Sequence, residues 1–420
     1  MAYAGLQQHL LIIHATVSRQ MNDTVKPEPQ KSDGVDVRRA TTEQLATYDA
    51  SQKQIDAFHV PQLYNQNDPD SRVFVALFDG TGNDAIHDPE HITNVGLLKD
   101  QLESAARTNP NIGVFYKEGP GTQGGLRGVI DGATGGTYQQ RLEVMYREFN
   151  MQSEAWLREN PNAKISVVSV GFSRGAEQAA GFTRLVDERG VQDPTGVRVE
   201  KFLIGEDKIS YTKPPLQAPG QIAQAMALYD PVATGEPERN DRRPANSVLS
   251  GLQIKAGNEY RKLFPADNII PQGLSEDKRF LGVTTAGCHS DIGGGYKLNG
   301  LSTRNFNLMS GYLNATLGSN MVQKLEVPTA PEMSVIHDSS QHKFFYLKSE
   351  VRGTTAKQDP QGLAVEPVDP KIAEPFRETI KPVAPLKPEG AQILLRGDDS
   401  PSSRLLNGTQ NIIKPDAPKI

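Results

Sequence analysis

The sequence predicts an α/β fold, a mostly parallel sheet with helices on both faces, and three observations predict it. Short apolar runs alternate with longer helical stretches through the middle of the chain. One run, Ile165-Ser166-Val167-Val168-Ser169-Val170, leads into Gly171-Phe172-Ser173-Arg174-Gly175 and then into the alanine-rich Ala176-Glu177-Gln178-Ala179-Ala180. Two later runs end in Asp230 and in Gly287-Cys288-His289. Strands that alternate with helices pair in parallel and are buried on both faces. In open sheets of this kind, chemistry gathers at the carboxyl ends of the strands.

In chain order, 73–78 reads as a buried strand, followed by a helix over 93–107, a strand over 112–116 and a long helix over 138–158. The elbow strand and its helix over 176–186 come next. The strands before Asp230 and His289 follow, then a helix over 303–317, and 343–347 adds a last strand or packs on the core. The catalytic unit is expected over 66–350, with insertions around 191–221 and 235–279 long enough to cap a site. Leu249, Leu252, Ile254, Leu263, Phe264, Ile269 and Ile270 are candidates to line an apolar channel there, or to pack the cap's own core. Residues 1–65 read as a polar leader or partner arm with one helix over 41–58. Residues 351–420 carry ten of the 29 prolines and read as an extended tail.

Composition narrows the function. A net charge of −5 with no basic run excludes a nucleic-acid binder. A single cysteine, Cys288, excludes an intrachain disulfide, and beside His289 it reads as a small buried group rather than a thiol nucleophile. Leu10-Leu11-Ile12-Ile13 is too short for a signal peptide, and nothing approaches the ~20 apolar residues of a transmembrane segment. The chain is therefore expected to be made in the cytoplasm without a signal peptide.

The strand–Gly-x-Ser-x-Gly–helix order is that of a nucleophile elbow, in which a sharp turn presents the serine above the sheet. A serine hydroxyl is a poor nucleophile at neutral pH and needs an imidazole base, itself oriented by a carboxylate. Ser173 is the expected nucleophile, His289 the base and acid, and Asp230 the orienting carboxylate, in the chain order of α/β-hydrolases. Oxyanion donors are expected from the backbone N–H of Arg174 and, in the turn Asp79-Gly80-Thr81-Gly82-Asn83, from Gly80 or Thr81. Asp291 is a rival acid and His337 a second-ranked base. Asp79, Asp84, Asp88 and Asp291 could converge on a divalent cation such as calcium, although solvated loop carboxylates are the simpler reading and no cofactor is expected. Gly119-Pro120-Gly121-Thr122-Gln123-Gly124 fits G-x-G-x-x-G but runs into more glycine rather than a helix, so the 119–136 stretch reads as a loop over the site.

Phe78-Asp79-Gly80-Thr81-Gly82-Asn83, Thr93-Asn94-Val95, Gly171-Phe172-Ser173-Arg174-Gly175-Ala176, Tyr229-Asp230-Pro231-Val232-Ala233 and His289-Ser290-Asp291-Ile292-Gly293-Gly294-Gly295-Tyr296 together resemble the catalytic domain of bacterial type VI secretion phospholipase effectors. The resemblance covers roughly 72–345. It implies an α/β-hydrolase fold, a Ser173–Asp230–His289 triad and hydrolysis of phospholipid acyl esters. It further implies antibacterial toxicity in the target-cell periplasm, a cognate immunity protein and a secretion-machine component as carrier. A small-ester hydrolase or thioesterase is the alternative enzyme, and a non-catalytic binding module the alternative of another class.

Overall fold

In chain order the elements are β1 (Val37–Arg39), α1 (Thr42–Ala57), β2 (Ser71–Phe78), α2 (Asn94–Thr108), β3 (Ile112–Lys117), α3 (Tyr138–Glu159), β4 (Lys164–Phe172) and α4 (Arg174–Arg189). Then come β5 (Val197–Glu200), β6 (Lys208–Tyr211), β7 (Ala223–Tyr229), β8 (Val248–Ala256), β9 (Gly273–Leu274), β10 (Phe280–Thr285), α5 (His289–Gly293), α6 (Gly300–Leu317), β11 (Val335–His337) and α7 (Pro370–Ala373). They belong to a computed structural model that describes residues 33–122, 137–200, 208–235, 239–341 and 367–379.

Seven strands form one sheet in the order β3-β2-β4-β7-β8-β10-β9, parallel throughout except for the short edge strand β9. The two-residue period of a strand sends alternate side chains to opposite faces. On β2, Val73, Val75 and Leu77 enter one core while Phe74, Ala76 and Phe78 enter the other. The first core is closed by α1, α2 and α6 through Tyr48, Ile55, Leu98, Leu102, Phe306 and Tyr312. The second is closed by α3 and α4 through Leu142, Tyr146, Phe149, Ala176, Ala179 and Phe182. This is the mostly parallel sheet covered by helices on both faces that the alternation predicted, and the architecture is α/β-hydrolase-like.

Local chemistry sets the helix starts. Thr41 caps α1 in a reciprocal box with Gln44, and Thr93 caps α2 through the Gly96 N–H at 3.1 Å. The alanines of α4 let that helix lie close on the sheet, where the Ser169 hydroxyl donates to the Ala179 carbonyl at 2.8 Å.

Four expectations change. The insertion around 235–279 contains β8, a central strand, and β9. Leu249, Leu252 and Ile254 on β8 and Ile269 and Ile270 beyond it pack in the two cores, and Leu263 is exposed; of the proposed channel residues only Phe264 reaches the site.

The described parts of the insertion expected around 191–221 lie toward the end of the sheet opposite Ser173. Helix α4 leaves Ser173 and runs 16 residues, about 24 Å at 1.5 Å per residue, to the amino ends of the strands. There Gln217 Nε2 donates to the carbonyl of Ala163, just before β4 begins, and β5 and β6 pair as a hairpin.

Part of the expected leader belongs to the folded unit. Strand β1 pairs with β11, and Val35, Tyr48, Ile55, Leu63 and Tyr64 are buried. In the tail, α7 places Ile372 in the first core. Residues 1–32, the strand expected at 343–347, most of the 119–136 loop and the rest of the tail lie outside the described residues.

Candidate active site

Ser173 sits between β4 and α4 with φ 59° and ψ −127°, a backbone state that costs a non-glycine residue about 1–3 kcal/mol and persists only where its surroundings hold it. Its N–H donates to the Tyr229 carbonyl at 3.0 Å, and its own carbonyl accepts from Ala176 at 3.0 Å. The flanking glycines answer to crowding. A Cβ on Gly175 would stand 2.3 Å from the Phe78 carbonyl oxygen, and one on Gly171 would stand 2.2 Å from the Gly175 carbonyl oxygen. Gly175→Ala should therefore lower stability by about 1–3 kcal/mol through overpacking, read as a lower urea midpoint. An unchanged midpoint would mean that the elbow relaxes freely.

Asp230 ends β7, also at positive φ (39°). It is pinned by its N–H to the Ile254 carbonyl at 2.7 Å and by the Ala256 N–H to its Oδ1 at 2.8 Å. Its other oxygen, Oδ2, lies 2.6 Å from Nδ1 of His289. Residues 59 apart in sequence thus meet at the carboxyl edge of the sheet. A carboxylate at Nδ1 keeps the proton there and leaves Nε2 as the basic nitrogen. The imidazole is buried, with the Phe172 ring 4.6 Å away and Phe264 edge-on at 5.1 Å. Phe172 immediately precedes Ser173, so the ring lies against the elbow itself.

Burial pushes the His289 pKa down, and the hydrogen bond and charge of Asp230 oppose this without reversing it. The neutral, basic form therefore persists to lower pH than an ordinary histidine, whose pKa is about 6.5. The acid limb of kcat/KM should fall below that value, with a plateau at pH 7 and above; a limb centred above pH 7 would contradict this environment.

The loop around His289 is braced by groups that sequence reasoning missed. Glu259 is fully buried just beyond β8, and both its oxygens accept from Arg261, Nε and Nη2 donating at 2.9 Å each. It also accepts from the Ser339 hydroxyl at 2.9 Å and from the His289 backbone N–H at 3.2 Å. The Arg261 guanidinium lies 3.4 Å from the centre of the Phe264 ring. Their one signal in the sequence was position, at a strand's carboxyl end like Asp230 and His289, and it was hidden because β8 went unread.

The rival residues have other work. Asp291 accepts from the Cys288 N–H at 2.9 Å and lies 2.6 Å from Nδ1 of His337, whose Nε2 meets Asp33 at 3.1 Å. With both ring nitrogens engaged, His337 is not placed to act as a base. Burial alone would lower its pKa, but the Asp291 charge and the hydrogen bonds to Asp291 and Asp33 raise it. Cys288 is buried, and burial pushes its thiol pKa well up. The carboxylates considered for a cation have separate partners: Asp79 the Thr93 and Tyr116 hydroxyls, Asp84 His87, Asp88 His91, and Asp291 His337. Among the described residues no cluster of three or more His, Cys, Asp or Glu is placed to hold a metal ion.

Around the expected oxyanion donors, Arg174 opens α4 directly after Ser173. The Gly80 N–H donates to Oδ1 of Asp79 at 2.7 Å, so that donor is engaged by its own neighbour. Burial pushes Asp79 up to about 6, against hydrogen bonds from Tyr116, Gly80 and Thr93. The Thr81 hydroxyl oxygen is buried without a hydrogen-bond partner. Gly119 packs so tightly on this turn that a Cβ there would meet the Gly80 carbonyl oxygen at 1.6 Å.

Three comparisons bear on this arrangement. No curated protein matches the chain. Among solved structures, an uncharacterized protein from Pseudomonas aeruginosa is 17% identical, covering 72% of this chain and 53% of its own, with a TM-score of 0.35. A Tle1 effector bound to the VgrG spike of the type VI secretion system is 18% identical over 57% of this chain and 52% of its own, TM-score 0.33. A carboxylesterase from Bacillus cereus is 16% identical over 55% and 84%, TM-score 0.24. The chain spans about half the length of the first two, and none of the three likenesses is close enough to bear on function. The family model for the catalytic domain of Tle1-like type VI secretion phospholipase effectors matches residues 72–204, from β2 through the elbow to just past β5. Residues 72–204 thus carry the catalytic-domain signature of the Tle1-like type VI secretion phospholipase effectors.

Proposed function

We propose that this chain is a serine hydrolase of carboxylic esters whose substrates are the acyl esters of membrane phospholipids. The observation that carries the reading is the 2.6 Å contact between Asp230 and His289 beside a strained serine elbow. In the proposed reaction the Ser173 proton passes to Nε2 of His289 as Oγ attacks the ester carbonyl. The oxyanion takes hydrogen bonds from the Arg174 N–H and from Thr81, whose buried hydroxyl needs a partner. Collapse expels the alcohol, a lysophospholipid, protonated by His289. Water, deprotonated by the same imidazole, then releases the fatty acid and restores Ser173. No metal enters these steps, so chelation should leave the rate unchanged.

The phospholipid as substrate, and delivery by type VI machinery into a target-cell periplasm, rest on the family signature over 72–204. A carrier component of that machinery and an immunity protein covering the site mouth belong to the same reading. Among the described residues no helix is long and apolar enough to cross a membrane. One observation favours a small-ester hydrolase instead: the residues expected to line an acyl channel mostly pack the sheet cores. Fluorophosphonate labelling of Ser173, with mass spectrometry of products from phospholipid vesicles, separates the two. Labelling with release of fatty acid and lysophospholipid supports the proposal; labelling with turnover of short esters alone supports the small-ester reading; no labelling leaves a binding module.

A further inference from the structure

Away from the serine, a cleft of about 500 Å³ opens between β1, the start of α1, α6 and the segment that leads to β11. That volume is within the range of pockets that hold a small ligand, about 300–1,000 Å³. Its walls are mainly apolar, formed by Leu45, Val327, Pro328 and Pro331, and no carboxylate lines it. Two arginines do, Arg39 from β1 and Arg304 from α6. Among the described residues neither forms an ion pair, and the Nε of Arg304 is buried without a hydrogen-bond partner, its guanidinium lying 5.9 Å from the Tyr48 ring. Other buried arginines are balanced in different ways: Arg242 has Glu177 and Asp267 and Arg261 has Glu259, whereas Arg72 rests on the carbonyls of Pro69 and Ser71.

Arg39 is exposed and Arg304 half-buried, so two like charges, one with an unused buried donor, stand at the edge of a mainly apolar cleft where a single anion could be held by both. We propose that this cleft binds a phosphate group carried on an apolar chain. Phosphate suits it better than carboxylate, because its three terminal oxygens and up to two negative charges can engage two arginines from different elements, whereas a carboxylate brings a single charge. The proline and aliphatic walls then cover the chain rather than a second polar group. The site is separate from Ser173, and its occupancy does not depend on ester hydrolysis.

The test is calorimetric titration of the full chain with dodecyl phosphate below its micellar concentration, against dodecanoate, dodecyl maltoside and inorganic phosphate. Dodecyl phosphate should bind one per chain, at least tenfold tighter than the other three, and more weakly as salt rises. The Arg39→Gln/Arg304→Gln double variant should lose at least tenfold in affinity, with each single between. Arg304→Lys, which keeps the charge, should retain more affinity than Arg304→Gln, and this separates lost charge from lost folding. Ser173→Ala should bind as the wild type does, so the result is independent of the hydrolase proposal. Equal binding of dodecyl maltoside or dodecanoate, equal binding of inorganic phosphate, or unchanged affinity in the double variant would each overturn the assignment.

Discussion

Replacing Ser173 by alanine should lower turnover of a p-nitrophenyl ester on the order of 10⁴-fold or more, and His289→Ala should do the same. The double variant should be little worse than either single, because nucleophile and base act as one unit and either loss removes it whole. Asp230→Asn should cost somewhat less. Its amide can still fill the position beside Nδ1, but it no longer fixes the proton there, and the imidazole can adopt the wrong tautomer. The structure makes the comparison clean, since the strained turn is held by backbone contacts, from Ser173 N–H to the Tyr229 carbonyl and from Ala176 N–H to the Ser173 carbonyl. Removing the hydroxyl leaves those bonds in place, so circular dichroism should be unchanged. A Ser173→Ala protein that is folded and keeps more than about a tenth of the activity would refute the assignment. On the proposed toxin reading, the same variant expressed in the periplasm should lose the toxicity that the wild type shows there.

The strands that carry Ser173, Asp230 and His289 were legible because each mostly apolar run leads directly into a motif residue, at Gly171–Gly175, at Asp230-Pro231 and at Gly287-Cys288-His289. Strand β8 was not legible, because Ser250, Gly251 and Gln253 interrupt its apolar residues. Their polarity is satisfied by contacts that no local pattern reveals: Gln253 Nε2 donates to the Asp267 carbonyl at 2.7 Å while its Oε1 accepts from Ile270, and Ser250 accepts from the Tyr312 hydroxyl 62 positions away. Missing β8 turned a central strand into an imagined cap. The second histidine was misleading for the same reason. His337 stands beside Asp338 in sequence, yet its partners are Asp291 and Asp33, 46 and 304 positions away. Glu259 and Arg261 carry no local mark in the sequence, yet folding buries them against the His289 loop.

The largest stability effect should come from Arg242, behind the nucleophile. Its Nε lies 2.5 Å from Glu177 and its Nη2 2.8 Å from Asp267, and both acids are fully buried. Glu177 is four residues past Ser173 on α4, and the Asp267 N–H donates to the carbonyl of Pro231, next to Asp230, at 3.1 Å. One guanidinium therefore ties the elbow helix to the segment that carries the acid. Arg242→Met removes the only cation of a buried trio and leaves two carboxylates facing each other, which should cost about 3–5 kcal/mol. The cost must depend on pH. Burial first and Asp267 second hold the Glu177 pKa well above its ordinary 4.5, with Arg242 opposing. A folded pKa raised above the unfolded one gives stability that is complete below the unfolded value and is lost as pH rises through the folded value. Removing Arg242 raises the folded value further, so the variant's deficit should be largest near pH 8 and shrink toward pH 5, where protonation relieves the repulsion. Urea midpoints of wild type and Arg242→Met at both pH values measure this directly. An equal deficit at pH 5 and pH 8 would mean that the arginine contributes packing rather than charge, and that the two acids share a proton without it.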